Sequence, residues 1–174
     1  MKTPLALHLA IIVSTATAFA CSAPPEEQLS PATELVQRTP TIVLARVTKV
    51  ERGERGIYHY TFKSEKTLKG KPADTFIIDG WSPEFSEPAE TFDDHTKDDF
   101  WKDNGGRCHN SSDCQIHPAF TAGAAYLIFL EAPYHRKSFE LIAHSEGLPE
   151  VRDKWLTWVE EQAKAPTAKP PAAK

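Results

Sequence analysis

Thr41-Ile42-Val43-Leu44-Ala45-Arg46-Val47-Thr48-Lys49-Val50 opens the stretch that decides the fold. It continues through the turn Gly53-Glu54-Arg55-Gly56 into Ile57-Tyr58-His59-Tyr60-Thr61-Phe62-Lys63, and it ends in Phe76-Ile77-Ile78-Asp79. β-Branched and aromatic residues alternate with polar ones and are bounded by glycine and charge, the pattern of strands buried on one face. The first strand is predicted over residues 41–51, with Ile42, Leu44, Val47 and Val50 on buried faces. Two apolar phases run through it, which predicts a bend or bulge of the kind barrel strands carry. The second strand, 57–68, sets Tyr58, Tyr60 and Phe62 on one side. Lys69-Gly70-Lys71-Pro72 ends it, and a short third strand follows at 75–79.

Downstream, residues 80–120 are a long excursion in which Trp81, Phe85, Phe92, Phe100 and Trp101 are scattered among Pro, Asp, Glu and Gly. A segment of that length inside a small domain is usually functional or without regular structure. Its aromatics fit either recognition of a protein or glycan, or a satellite core under the insertion, and the satellite core is the weightier expectation. Order returns with Tyr126-Leu127-Ile128-Phe129-Leu130, a strand buried on both sides, which must stop before Pro133. Phe139-Glu140-Leu141-Ile142-Ala143 makes a fifth strand. Val151, Trp155, Trp158 and Val159 then fall on one face of an amphipathic helix. The tail, 163–174, is rich in Ala, Pro and Lys and reads as disordered. Five strands in this order predict a mainly β fold, a closed or nearly closed five-stranded barrel of the OB type.

Upstream, Met1-Lys2, the apolar run Leu5–Val13 and Ala18-Phe19-Ala20 read as an export signal over residues 1–20. The run is shorter than the about 20 apolar residues of a membrane span. Cleavage before Cys21 leaves two readings open: ordinary secretion, or a lipoprotein acylated at Cys21, with Ser22 compatible with outer-membrane sorting. Residues 21–40 form a proline-bearing strap and a short helix, with Ser30 as cap and Pro31 at the first helical position. The barrel domain is expected over 41–162, with the 80–120 insertion inside it. The chain of 174 residues thus suits one domain, and its formal charge of −4 argues against nucleic acid as partner.

Three cysteines in an exported chain leave one to be explained. Acylation of Cys21 would leave Cys108 and Cys114 as a disulfide pair; without it, Cys21 would pair with one of them and leave the other free. A zinc or copper site using Cys108, Cys114, His109 and His117 is the competing reading, but the spacing matches no common Cys/His signature. Asp93, Asp94 and His95 with Asp98 and Asp99 fit a cation site or, more simply, a solvated acidic loop. His59, His135 and His144 read as structural histidines. No Gly-x-Ser-x-Gly, His-Glu-x-x-His or Gly-rich phosphate loop occurs, so no catalytic residue, metal or cofactor is assigned.

The order of features resembles the bacterial relatives of the tissue inhibitors of metalloproteinases. It rests on Cys21-Ser22-Ala23-Pro24-Pro25, on Thr41–Val47, on Lys66-Thr67-Leu68-Lys69-Gly70 and on Phe120–Leu130. The resemblance implies an OB-fold over about residues 21–145. It further implies a free amine and carbonyl at Cys21 that chelate a protease zinc, a bridge from Cys21 to a loop cysteine, and Ser22 directed into the specificity pocket. Ala23 stands where that family has its second cysteine, and acylation of Cys21 would abolish chelation. The expected function is therefore a non-enzymatic, exported binding module of the cell envelope, periplasmic, secreted or held at the membrane only by lipid on Cys21. It would bind a protein partner through its barrel rim and the 80–120 insertion. The alternative is inhibition of a metalloproteinase through Cys21.

Overall fold

The computed structural model describes residues 26–86, 95–103, 105–108, 116–130, 135–142 and 153–165. The expected export signal, Cys21, Ser22, Phe92, Asp93, Asp94, His109, Cys114, His144, Val151 and the tail beyond 165 lie outside them.

The described strands are β1 (Thr41–Arg52), β2 (Tyr58–Lys69), β3 (Thr75–Gly80), β4 (Ala125–Leu130) and β5 (Phe139–Ile142). They form one antiparallel sheet in the order β3-β2-β1-β4-β5, so β1 has partners along both edges. The turn at Glu54–Gly56 closes the β1–β2 hairpin, with Arg55 and Gly56 at positive φ. The β1–β4 register is uninterrupted from Thr41↔Leu130 to Arg46↔Ala125. Against β2, β1 slips between Ile42 and Val43, Leu44 and Ala45, and Val47 and Lys49. These irregularities are the bulges that the doubled apolar phase predicted.

That doubled phase has a second cause. The first half of β1 is covered on both faces. Ile42 and Leu44 pack with Ala125, Leu127, Phe129 and Ile142 under the helices. Val43, Ala45 and Val47 pack on the other side with Tyr60, Phe62, Ile78, Phe120, Tyr126 and Phe139. A strand between two cores loses its alternation because both sets of side chains leave water.

Helices close the first face. α1 (Ala32–Arg38) contributes Leu35 and Val36. Pro31 is its extended cap residue, not its first helical residue, and no side chain caps it; the Pro31 carbonyl accepts from the Glu34 and Leu35 amides instead. Pro31, not the expected Ser30, therefore holds the cap position, and the Ser30 carbonyl accepts from His135 Nε2 at 2.7 Å. α2 (Asp98–Trp101) supplies Phe100, and α3 (Lys154–Lys164) supplies Trp155, Leu156 and Val159. α3 starts at Asp153, whose Oδ1 accepts from the Leu156 amide at 2.9 Å, an N-cap bond. Phe100 meets Trp155 edge-on at 5.3 Å, and Trp158 stacks on Trp155 at 5.1 Å.

The other face is an aromatic cup filled by Phe120. Its ring stands edge-on to Tyr60, Phe62, Tyr126 and Phe139, with centroids 4.9–5.7 Å away. Of the expected closed or nearly closed barrel, closure is not found: among the described residues no ladder joins β3 to β5, and the sheet is open. Segment 116–120 reaches into the opening. The Trp81 amide donates to the Pro118 carbonyl at 2.9 Å. A Cβ at Gly80 would lie 2.0 Å from that carbonyl oxygen, so only glycine lets the strand end approach it.

Candidate functional site

Between the end of β3 and the edge of β5 lies a cavity of about 240 Å³. Trp81 and Phe85 stand at it from the chain following β3, His117, Pro118 and Ala119 from segment 116–120, and Tyr126 from β4. Phe139, Glu140 and Leu141 of β5, with Arg107 and Cys108, complete the lining. Phe85 is 66% exposed and Trp81 39%, unusual for large apolar side chains in a chain with two filled cores. They do not move independently. Phe85 meets Trp81 edge-on at 5.8 Å, and the Trp81 ring lies parallel to His117 at 5.4 Å. The Trp81 carbonyl accepts from Tyr60 Oη. Burial pushes the Tyr60 hydroxyl up to about 12, so it stays a donor across the neutral range. The platform is thus tied into the aromatic cup.

Glu140 brings charge to the cavity wall. It sits between Phe139 and Leu141 but points to the helix face, opposite Leu127. It is fully buried. One carboxylate oxygen accepts from the Arg107 amide at 3.0 Å; the other lies 3.2 Å from His95 Nε2 and 3.5 Å from Arg107 Nε. His95 Nδ1 lies 2.7 Å from Asp153 Oδ2. Burial works against a charged His95 ring, but the hydrogen bonds and charges of Asp153 and Glu140 outweigh it, and its pKa stands above the ordinary histidine value. Lys137, also buried, donates to the Lys102 and Gly105 carbonyls at 3.0 and 2.9 Å and lies over the Phe100 ring. Burial lowers its pKa, with Glu140 and Asp103 acting the other way.

A second buried histidine is held differently. His135 Nε2 donates to the Ser30 carbonyl, so its Nδ1 is the acceptor for the Lys137 amide at 3.0 Å. That is a neutral ring, and burial, helped by the charges of Lys137 and Arg136, lowers its pKa. Beside it the Arg136 amide donates to the Gln28 carbonyl at 3.3 Å, and the Arg136 carbonyl accepts from the Cys108 amide at 3.2 Å. The N-terminal strap and Cys108 therefore flank the same residue. Gly106, at φ +128, passes Arg136 where a Cβ would be 2.7 Å from its backbone.

Of the residues singled out from sequence, Trp81, Phe85, Cys108 and His117 come together at the cavity. Phe100 and Trp101 do not: Phe100 belongs to the main helix-side core, so the satellite-core expectation holds only as packing. The described residues of the acidic loop do not converge on one another. His95 turns inward to Asp153 and Glu140, whereas Asp98 and Asp99 are exposed and Asp99 pairs with Lys102. His59 is an exposed partner of Asp79, and His135 is a satisfied buried histidine, both as expected. Glu140, Asp153, Arg107 and Lys137 were not foreseen. The available signal was a glutamate whose strand neighbours are Phe139, Leu141 and Ile142.

Among the described residues no helix is long and apolar enough to cross a membrane. No known family model matches the chain, and no curated protein is significantly similar to it.

Proposed function

We propose that the chain is a non-enzymatic binding module, exported to the cell envelope, whose site is the cavity between β3 and β5. The observation that carries this is the exposed Trp81–Phe85 pair fixed at the cavity mouth. At about 240 Å³ the cavity falls below the roughly 300–1,000 Å³ usual for small-molecule sites. It suits one apolar side chain of a protein partner, anchored in the pocket and covered by the aromatic rim, the arrangement of an interface hot spot. The order β3-β2-β1-β4-β5 is also that of a five-stranded barrel opened between its third and fifth strands, which supports the OB-like reading. Peptide display against the protein tests the site. Selection of sequences with a shared aliphatic or aromatic anchor, and loss of their binding in Trp81→Ala and Phe85→Ala, is the expected result. Binding indifferent to both substitutions removes the reading, as would a hydrolase activity abolished by changing one polar residue.

A second reading, inhibition of a metalloproteinase through Cys21, is favoured by the position of the strap. The Gln28 carbonyl accepts from the Arg136 amide and the Cys108 amide donates to the Arg136 carbonyl, so strap and Cys108 meet at one residue. The stretch from Cys21 to Gln28 spans at most about 25 Å, which brings Cys21 within reach of Cys108. Disulfide mapping distinguishes the two. A Cys21–Cys108 bridge with inhibition lost on adding one residue before Cys21 supports the inhibitor; acyl mass on Cys21 with a Cys108–Cys114 bridge excludes it.

A further inference from the structure

His95 is fully buried, and both of its ring nitrogens face carboxylates, Asp153 Oδ2 at 2.7 Å and Glu140 Oε2 at 3.2 Å. The charged groups around this chain decide its protonation. Asp153 also accepts from the Leu156 amide at the start of α3. Glu140, from β5, accepts from the Arg107 amide and faces the Arg107 guanidinium, with Lys137 of the 135–138 turn acting on it electrostatically. α2 packs Phe100 on the imidazole at 4.3 Å and adds no buried charge, since Asp98 and Asp99 are exposed. With a carboxyl group facing each ring nitrogen, an imidazolium donating both N–H groups is the arrangement that turns no ring lone pair toward a carboxylate. His95 also sits at φ +56, a left-handed backbone that the surrounding contacts must hold in place.

Glu140 joins this chain to the cavity. The same carboxylate that accepts from His95 accepts from the Arg107 amide, and Arg107 and Cys108 both line the cavity. We propose that Asp153–His95–Glu140 is a proton-operated latch on the binding site. With the imidazolium in place, Glu140 is oriented toward the 105–108 segment and the cavity wall is firm. When His95 loses its proton, one ring nitrogen turns a lone pair toward a buried carboxylate, the chain breaks, and segment 105–108 loosens from β5. This inference rests on the cavity being the binding site and adds its regulation: the site is competent with His95 protonated and weakens as pH rises.

Hydrogen exchange of the full chain reads the latch directly, since the Arg107 amide is bonded to Glu140 and the Cys108 amide to Arg136. After correction for intrinsic exchange, protection of both amides should fall by up to about tenfold per pH unit from the ordinary imidazole value of about 6.5 upward, the slope of an opening linked to one proton, and level off once the pH passes the folded midpoint. The His95 ring, followed by NMR in the unmodified protein, should titrate at the pH where the fall in protection levels off. Flat protection, or a ring midpoint far from that plateau, overturns the latch. His95→Gln should remove the slope; the unmodified-protein measurements stand if that variant does not fold. Anilinonaphthalene sulfonate serves as the site probe. Fluorescence that is lost in Trp81→Ala, and that changes through the same pH transition in the unmodified chain, supports control of the site. Dye binding that depends on Trp81 but not on pH leaves the site intact and overturns its regulation. Dye binding indifferent to Trp81 overturns the site reading alone, and the exchange profile still decides the latch.

Discussion

The two faces of the sheet are closed by different materials, and the difference locates the site. On one face α1, α2 and α3 lay Leu35, Val36, Phe100, Trp155, Leu156 and Val159 over the strands. A helix satisfies its own backbone, so it can press an apolar stripe on a sheet with little left over. On the other face the cover is a loop. Segment 116–120 gives Ile116 and Phe120 to the aromatic cup, but its carbonyls need partners, and the Trp81 amide is drawn to Pro118 to supply one. The loop cover is incomplete, and the cavity is what it leaves. Glu140 is the residue at which the two faces communicate, being packed on the helix side while lining the cavity.

The strongest challenge to this comparison is to empty each core in turn. Phe120→Ala and Trp155→Ala should each destabilise the chain by about 3–5 kcal/mol in urea titrations, the cost of removing a fully buried aromatic. If the faces form one cooperative unit, both variants unfold in a single transition. Two transitions in Phe120→Ala would show that the cup melts alone.

Asp153→Asn comes next, at about 1.5–3 kcal/mol, because it keeps the helix cap but removes a charged acceptor from His95. It sharpens the comparison if the loss is accompanied by faster exchange at Arg107, in the wall of the cavity. An unchanged Arg107 amide would mean that the faces do not communicate through His95.

The two buried histidines set opposite pH limits. His95 has a raised pKa, so its contribution is complete below the ordinary value of about 6.5 and is lost as pH rises through the higher folded value. His135 has a lowered pKa, so its contribution is present above about 6.5 and is lost as pH falls through the lower folded value. Melting temperature against pH should decline on both sides. His95→Gln should flatten the alkaline limb and His135→Asn the acid limb, each leaving the other in place.

Trp81→Ala should change stability least, within about 0.5 kcal/mol, since its ring covers the rim and not a core. A larger loss in thermal melts would make Trp81 a structural member of the cup.

Strand identity was legible because burial is written locally, as alternation in Tyr58–Phe62 and as a short continuous apolar run in Tyr126–Leu130. Tyr58–Phe62, Phe76–Ile78 and Tyr126–Leu130 all fall in strands. The helix at Trp155–Val159 was legible for the same reason, at its own period. Closure was not. Whether β3 meets β5 depends on what the insertion places between them, and no local pattern announces that Phe120 fills the cup or that Gly80 rests on Pro118. The exposed aromatics of the site could be named from sequence, but not separated from Phe100 and Trp101, which share their composition and differ only in position. The His95 chain was illegible because its members are 45 and 58 residues from the histidine, and a run of aspartates beside it suggested solvent.

The pairing of β1 on both edges also sets an order of assembly. Its partner β2 follows after one short turn, whereas β4 arrives only after the whole insertion. Closing the short loop costs little chain entropy, so the β1–β2 hairpin can form early, on the microsecond scale of isolated hairpins. The β1–β4 ladder must wait for a long-range search, which slows folding. The mouth of the cavity is built from chain on both sides of that late event. The site is thus completed only after that event, and until then the unpaired edge of β1 is the surface most in need of protection from other chains.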